Sequence, residues 1–265
     1  MRHSFAFAAL VASIAALTAA ADPADAVRLD ILPGWENADG TQMAGLRVSL
    51  DDGWKTYWRA PGDAGIPPVF SWNGSENVRG VSFHWPVPEV HSQNGMRTFG
   101  YQGEFTIPVT VHRSADGTAR LKGKVQIGVC SDICVPVTLR FDQLLPEGGA
   151  RDGQIASALV DQPMTAKEGR VAAATCAFDP TSDGAHLTVK VQMPQLAEME
   201  LAVIEAGDPR IWVAEPVVER QGDWLVAQTR MYHDYDGPMV INRGSMRITV
   251  LGAGQAVDIQ GCSGS

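Results

Sequence analysis

The sequence is short of positive charge and lacks the short motifs of the common enzyme classes. Lys and Arg number 21 against 30 Asp and Glu among 265 residues, so the net charge is -9 at neutral pH. A chain of this charge without a basic run is not expected to bind nucleic acid or anionic lipid. No phosphate-binding glycine loop, dinucleotide fingerprint or G-x-S-x-G motif occurs, so NTPase, NAD-dependent and hydrolase functions have no motif support.

The one long apolar run lies at the N-terminus, and its pattern is typical of a signal peptide. Arg2 and His3 precede an Ala- and Leu-rich stretch over residues 5–21, which ends in three alanines suited to cleavage. Length and flanks favour a signal peptide over residues 1–21 rather than a retained anchor. No later stretch is long enough to span a bilayer. We therefore predict a periplasmic protein without bilayer insertion after cleavage, in a compartment where disulfides persist.

Glycine and proline divide the rest of the chain into short segments typical of β-strands. There are 27 Gly and 16 Pro, and between them apolar and polar residues alternate. Strands are predicted at 44–50, 69–72, 81–85, 105–111, 121–129, 135–141, 187–191, 201–204, 211–213, 224–228, 239–241 and 246–251. Pro108 predicts an edge or bulge position for its strand. Many short strands separated by turns are typical of β-sandwiches.

These strands fall into two predicted domains, over residues 27–146 and 171–265. Residues 147–170 differ from both, because they show helical periodicity after a Pro- and Gly-containing breaker. Asp152 is expected to cap a short helix there, with Ile155 on its buried face. The sequence thus predicts an all-β protein with two sandwich domains joined by a short helical linker.

The four cysteines carry most of the functional information. Four cysteines allow three pairings, and an even number in an exported protein predicts disulfides. We expect Cys130–Cys134 and Cys176–Cys262, because each pair then stays inside one predicted domain. The second bond would close a loop of roughly 87 residues, worth on the order of 4 to 5 kcal/mol in the chain-entropy model. It is therefore predicted to be structural.

A bond between the two cysteines of the C-x-x-x-C pair would stabilise the fold less than the long-range bond, and it is better suited to a redox switch. Joining Cys130 to Cys134 closes about five residues, worth roughly 2 kcal/mol before any strain is subtracted. Short loops force poor bridge geometry, and strained bonds are easier to reduce. Predicted strands flank the pair, so the two sulfurs should lie at the mouth of a hairpin. Asp132 disfavours a thiolate and no neighbouring cation favours one, so the fold must supply any activating group.

Five motifs carry a resemblance to a known family. They are GWKTYWRAPGD (53–63), WPVP (85–88), GYQGE (100–104), IPV (107–109) and CSDICVP (130–136). Their order and spacing resemble the periplasmic N-terminal domain of the thiol:disulfide interchange protein DsbD, in the branch found in ScsB-like proteins of copper-tolerance systems. The resemblance covers residues 27–146 and implies an immunoglobulin-like sandwich. The region after residue 170 is similar in a general way to the second β domain of ScsB-like proteins.

The resemblance also implies a reversible Cys130–Cys134 bond and no bound cofactor. Cys134 would be the nucleophile that attacks a partner disulfide, and Cys130 would be the resolving thiol. The family's membrane conduit is not among these residues, so the implied electron donor is a membrane-embedded thiol reductase on another chain. The implied acceptors are periplasmic thioredoxin-like proteins.

Aromatic residues that pack against the disulfide are a further expectation from the family. The aromatic segment before the active loop corresponds to Trp54 and Tyr57. In DsbD itself the cysteines are further apart, and an aromatic cap covers them. Candidates for that cap are Met96, Phe99 and Tyr101.

Two other functions remain open at this point. C-x-x-x-C followed by Pro also resembles the copper motif of Sco-type proteins, and thiolates suit Cu(I). His84, His91 and His112 could supply a nitrogen ligand, but no helical pattern follows Cys134 as it does in the Sco motif, and no metal site is predicted. The other alternative is a non-catalytic binding module whose disulfides are only structural.

Overall fold

The computed structural model describes residues 22–93, 95–233, 235 and 239–264, which contain twenty strands and one helix. The predicted signal peptide, residues 1–21, lies outside the described residues. The first ten strands are β1 (Val27–Glu36), β2 (Gln42–Leu50), β3 (Lys55–Tyr57), β4 (Val69–Ser71), β5 (Val78–Phe83), β6 (Glu89–Gln93), β7 (Met96–Gln102), β8 (Glu104–Arg113), β9 (Ala119–Cys130) and β10 (Cys134–Leu145). Then follow α1 (Gly153–Val160), β11 (Met164–Thr165), β12 (Ala173–Thr181), β13 (Gly184–Gln192), β14 (Leu201–Glu205), β15 (Ile211–Val213), β16 (Val217–Gln221), β17 (Trp224–His233), β18 (Arg247–Gly252), β19 (Gln255–Gln260) and β20 (Ser263–Gly264).

The first ten strands form a sandwich of two antiparallel sheets. One sheet has the order β1-β2-β8-β5, and the other has the order β10-β9-β3-β7-β6 with β4 also paired to β9. Side chains alternate between the two faces of each strand, so every second residue points inward. Val48 from one sheet and Ile127, Val129 and Val137 from the other are buried together between them. This inward set places the intervening residues of β9 and β10 on the outer face.

Pro108 lies in a central strand, so its predicted edge or bulge position is wrong. β8 pairs with β2 on one side and β5 on the other. The Pro108 carbonyl accepts a hydrogen bond from the His84 amide at 2.9 Å, just beyond the last paired residue of β5, Phe83. The prolyl nitrogen faces the same side as its carbonyl, where regular pairing has already ended. The missing N–H therefore removes little from the sheet.

The remaining strands form a second sandwich with its own core. Its sheets have the orders β11-β19-β18-β14 and β15-β17-β13-β12-β20, and β16 also pairs with β17. Leu187, Val189, Leu225 and Ile248 are almost completely buried between these sheets. The strand predicted at 239–241 is wrong, because these residues are irregular. Their apolar side chains pack against the core without joining a sheet.

The segment between the sandwiches is attached to both of them. Asp152 caps α1 as predicted, since its carboxylate accepts hydrogen bonds from the amides of Gln154 (2.8 Å) and Ile155 (3.2 Å). Ile155 is fully buried against Trp35 and Met43 of the first sandwich. A few residues later, β11 pairs in parallel with β19 of the second sandwich. The segment is thus packed structure rather than a free tether.

The predicted all-β, immunoglobulin-like architecture is confirmed, with the helix as a small addition. The two sandwiches touch one another through apolar and charged contacts. Val203 and Leu251 of the second sandwich join an apolar cluster of the first. The part of the chain that the structure describes contains no helix with the length and apolarity of a membrane-spanning segment.

Candidate redox site

The β9–β10 hairpin begins and ends its turn with a cysteine. Cys130 is the last residue of β9, Cys134 is the first of β10, and the two are cross-strand partners with Cα atoms 4.2 Å apart. A disulfide joins them. Because Val129 points into the core, its neighbour Cys130 points to the outer face of the sheet, and so does Cys134. The hairpin register therefore places both sulfurs on the outside of the sandwich.

The two cysteines differ sharply in their access to solvent. Cys130 has 0% of its surface exposed, whereas Cys134 is exposed. Next to Cys134 in the turn, Ile133 is 74% exposed. Cys134 is therefore the member of the pair that another protein can approach, whereas Cys130 is covered by the fold.

Tyr57 brings a hydroxyl group to both sulfurs. Strand β3 pairs with β9 so that Lys55 lies opposite Cys130, and two residues later Tyr57 falls on the same outer face. The Tyr57 hydroxyl oxygen is 2.9 Å from Cys130 Sγ and 3.0 Å from Cys134 Sγ. Burial raises the pKa of Tyr57, so the phenol stays protonated and can donate its hydrogen bond to sulfur.

Gly128 makes room for this arrangement. A Cβ at Gly128 would come within 2.8 Å of two carbons of the Tyr57 ring and 2.7 Å of Ile66 Cβ. The Tyr57 ring and Ile66 therefore lie directly over the backbone of β9 and cover its outer face. This covering explains why Gly128 and Cys130 are buried, while Lys124 further along the same face is exposed. Gly128 was not among the predicted site residues, although glycine inside a strand often indicates a close approach of this kind.

The fold also supplies a cation that the local sequence lacks. Lys55 is the cross-strand partner of Cys130, so their side chains share one face of the sheet. Two strands further on, His91 Nε2 is 3.6 Å from Glu89 on the outer strand of that sheet. Burial lowers the pKa of His91, Glu89 opposes this and the Lys55 charge adds to the lowering. The positive charge of Lys55 on this face favours a thiolate over a thiol.

The other aromatic residues that the resemblance singled out lie in the core. Trp54 is half-buried and packs on the cluster that contains Val129. Phe99 meets the Trp58 ring edge-on at 6.4 Å, and the Tyr101 hydroxyl donates to the Pro86 carbonyl at 2.9 Å. Met96, 51% exposed, is the first residue of β7. Among these predicted packing residues, Tyr57 is the one that the structure places within hydrogen-bond distance of the sulfurs.

The histidines considered as copper ligands have other partners. His84 Nε2 is 2.7 Å from Thr110 Oγ1, and His112 Nε2 is 2.9 Å from Ser82 Oγ. His112 of β8 and His84, just after β5, lie at the other sheet of the sandwich, whereas His91 lies on β6 of the sheet that carries the cysteines. Within the described ranges, no three His, Cys, Asp or Glu side chains are grouped as metal ligands would be. The geometry thus offers no specific support for a copper site.

The second cysteine pair lies in a different setting. Cys176 of β12 and Cys262, between β19 and β20, form a disulfide with Cα atoms 5.8 Å apart. Cys176 has 0% exposure and belongs to the core of the second sandwich, and Cys262 packs against that core. The bond links the beginning of this sandwich to its end, over a separation of 86 residues.

Cys130 and Cys134 both lie in a segment that matches a known family. Residues 24–146 match the family model described as the N-terminal domain of thiol:disulfide interchange protein DsbD. This segment is a DsbD N-terminal domain. It is therefore a thiol:disulfide interchange domain, and Cys130 and Cys134 are its cysteine pair.

A solved structure extends the likeness in fold to the second sandwich. The crystal structure of the N-terminal periplasmic domain of ScsB from Proteus mirabilis superposes with a TM-score of 0.67. The superposition covers 90% of this chain and 93% of that chain, at 23% sequence identity. No curated protein matches the sequence.

Proposed function

We propose that this protein relays electrons from a membrane-embedded thiol reductase to periplasmic thioredoxin-like proteins through Cys130 and Cys134. The observation that carries the proposal is that the two cysteines differ in exposure while one hydroxyl group contacts both of their sulfurs. Cys134 is exposed, Cys130 is buried, and Tyr57 lies within hydrogen-bond distance of both sulfurs. The match of residues 24–146 to the DsbD N-terminal domain supports the same chemistry.

The transfer to an oxidised partner takes two exchange steps. The thiolate of Cys134 attacks one sulfur of the partner disulfide, so a mixed disulfide forms and the other partner sulfur leaves as a thiolate. The thiolate of Cys130 then attacks Cys134 Sγ, and the bond to the partner breaks. The partner has gained two electrons and, with two protons, becomes a dithiol. The Cys130–Cys134 bond has formed in exchange.

Tyr57 assists the first step by stabilising the attacking anion. In the reduced protein its O–H donates to the Cys134 thiolate, and the Cys130 thiol can donate to the same phenol oxygen. A hydrogen bond to the charged form of an acid favours that form, so a larger fraction of Cys134 is nucleophilic at neutral pH. Because burial raises the pKa of Tyr57, the Tyr57 hydroxyl remains a hydrogen-bond donor at neutral pH.

The return of electrons uses the same exposed atom. A thiolate of the reductase attacks Cys134 Sγ, and Cys130 leaves as a thiolate whose charge the Tyr57 hydroxyl stabilises at 2.9 Å. The second reductase thiolate then attacks its own mixed-disulfide sulfur and releases reduced Cys134. In both directions the partner bonds to Cys134, because Cys130 is closed to it. The signal-peptide pattern of residues 1–21 supports the periplasm as the site of this exchange.

A redox titration tests the proposal. The protein is equilibrated in glutathione buffers of increasing reducing strength, free thiols are alkylated, and mass spectrometry locates them. We expect Cys130 and Cys134 to open together within the glutathione range, while Cys176 and Cys262 stay bonded. Structural disulfides resist reduction down to potentials below about -300 mV. A Cys130–Cys134 bond that survives to that limit would identify a binding module with structural disulfides only.

A further inference from the structure

The residues that follow Tyr57 connect the redox site to the second sandwich. Tyr57 lies over the sulfurs, Trp58 is fully buried in the first core, and Arg59 reaches the second sandwich. These three consecutive residues thus contact the redox site, the core and the neighbouring domain in turn.

The link between Tyr57 and Arg59 is rigid. The Trp58 amide donates to the Phe99 carbonyl at 2.9 Å, and the Phe99 amide donates to the Pro61 carbonyl at 3.0 Å. The Arg59 guanidinium carbon lies 3.9 Å from the centroid of the Trp58 ring. Backbone bonds on both sides of Arg59 and a buried ring beneath its side chain leave little freedom for it to move independently of Tyr57.

The second sandwich holds the Arg59 side chain through three polar groups. Arg59 Nη2 is 3.0 Å from Glu205 Oε2, 3.2 Å from Thr249 Oγ1 and 4.0 Å from Asp258 Oδ1. These groups come from β14, β18 and β19, so three of the four strands of one sheet contact the guanidinium. The Arg59 side chain is only 11% exposed. Burial lowers the pKa of Arg59 and Glu205 opposes this, so the buried positive charge depends on the second sandwich for its compensation.

We infer that Arg59 is a positioning residue, through which the second sandwich holds Tyr57 over Cys130 and Cys134. The inference rests on the proposed role of Tyr57 in the exchange reaction. It gives the second sandwich a part in the chemistry without a contact of its own to the sulfurs. Loss of the contacts to Arg59 should shift the Tyr57 hydroxyl, and the reactivity of Cys134 should fall with it.

The chain offers a closely matched pair of variants for a test. Glu205→Gln removes the charge that faces Arg59, and Glu215→Gln removes the charge that faces Arg97, where the ion pair is 2.5 Å. Both glutamates belong to the second sandwich, both bind an arginine of the first, and their side chains are 28% and 26% exposed. Only the first pair involves the segment next to Tyr57.

The first readout is the alkylation rate of Cys134 in the reduced full chain at pH 7. The second is the equilibrium constant for reduction of the Cys130–Cys134 disulfide by glutathione. Tyr57→Phe should slow alkylation about tenfold, because a hydrogen bond to a charged group is lost. Glu205→Gln should slow it about threefold, as expected for a coupled but remote site. Glu215→Gln should match the unaltered protein. In the Tyr57→Phe background, Glu205→Gln should have no further effect, because its influence passes through the hydroxyl.

Three results would overturn the inference. Equal behaviour of the two glutamate variants, or a Glu205 effect that persists in the Tyr57→Phe background, would show that Arg59 does not act through Tyr57. An unchanged rate in Tyr57→Phe would remove the role of Tyr57 itself, whereas the pair could still exchange in the glutathione titration. If Glu205→Gln does not fold, Thr249→Val removes the hydrogen bond that Arg59 donates to an uncharged hydroxyl, and it must show a smaller slowing of the same kind.

Discussion

The two disulfides of this protein have the same covalent bond in opposite surroundings. Cys130–Cys134 joins neighbouring strands at a separation of four residues, on an outer sheet face where Cys134 is exposed. Cys176–Cys262 spans 86 residues and lies against a core, with Cys176 fully buried. The first has a phenol hydroxyl within 3.0 Å of its sulfurs, whereas the Cys262 sulfur lies 3.9 Å from the Met246 sulfur.

If the two pairs have the roles proposed for them, access and loop length, rather than the bond itself, distinguish a redox pair from a structural link. A long loop restricts the unfolded chain strongly, so the bond that closes it stabilises the fold. A short loop restricts it little, and the rest of this hairpin is held by regular strand pairing along its length. Exchange further requires a cysteine that a second molecule can approach, and Cys134 is the exposed member of its pair.

The largest expected effect concerns the two cysteines of the exposed pair. Cys130→Ser should accumulate a mixed disulfide with a purified thioredoxin-like protein, because Cys134 can attack but nothing resolves the product. Cys134→Ser should accumulate none, since its remaining thiol is buried. Non-reducing electrophoresis followed by mass spectrometry of the linked peptide measures both. Equal trapping by the two variants would refute the assignment of nucleophile and resolving thiol.

Removing each disulfide in turn should reveal how much each one contributes to stability. Replacing Cys176 and Cys262 with alanine should lower the free energy of unfolding of the second sandwich by about 4 to 5 kcal/mol, as chain entropy predicts. The corresponding Cys130 and Cys134 variant should lose at most about 2 kcal/mol from the first sandwich. Urea titration with domain-specific probes measures the two transitions. A larger loss at the short pair would mean that it is the structural bond.

A smaller effect is expected from adding a methyl group beneath Tyr57. Gly128→Ala should destabilise the first sandwich by about 1 to 3 kcal/mol and slow alkylation of reduced Cys134, because the ring must move off the strand. The control is Gly80→Ala in β5, where no atom lies within 4 Å of an added Cβ. Thermal unfolding and the alkylation rate should both stay near their original values in the control. Similar losses in both variants would contradict the close packing of Tyr57 on Gly128.

Much of the fold follows from local patterns in the sequence. Alternation of apolar and polar residues indicates β8, β9 and β10, and the Asp152 cap appears where it is expected. The errors occur where packing overrides pattern. The apolar residues at 239–241 contact the core without a partner strand, and Pro108 occupies a central strand where the adjacent pairing has ended.

The site was predictable in its sulfur atoms but not in its surroundings. The spacing of Cys130 and Cys134 between two strands indicates a hairpin pair, and the resemblance pointed to Tyr57. The packing of the Tyr57 ring on Gly128 and the position of Lys55 opposite Cys130 depend on the pairing of β3 with β9. These two strands are more than seventy residues apart in the chain. No local pattern reports that register. Without knowledge of that register, Phe99 and Tyr101 were predicted near the sulfurs. The pairing of β7 with β3 places both on the inner face of the sheet, in the core.

Local sequence patterns are enough to predict that the chain forms short strands and that one cysteine pair flanks a tight hairpin turn. These properties depend on neighbouring residues, whose periodicity and spacing are visible in the sequence. Which cysteine is exposed, which hydroxyl contacts its sulfur and how the second sandwich contacts Arg59 follow only from the folded structure. Those facts arise from strand pairing and domain contact between distant residues. Such contacts are selected by burial and register over the whole molecule, so no short segment encodes them.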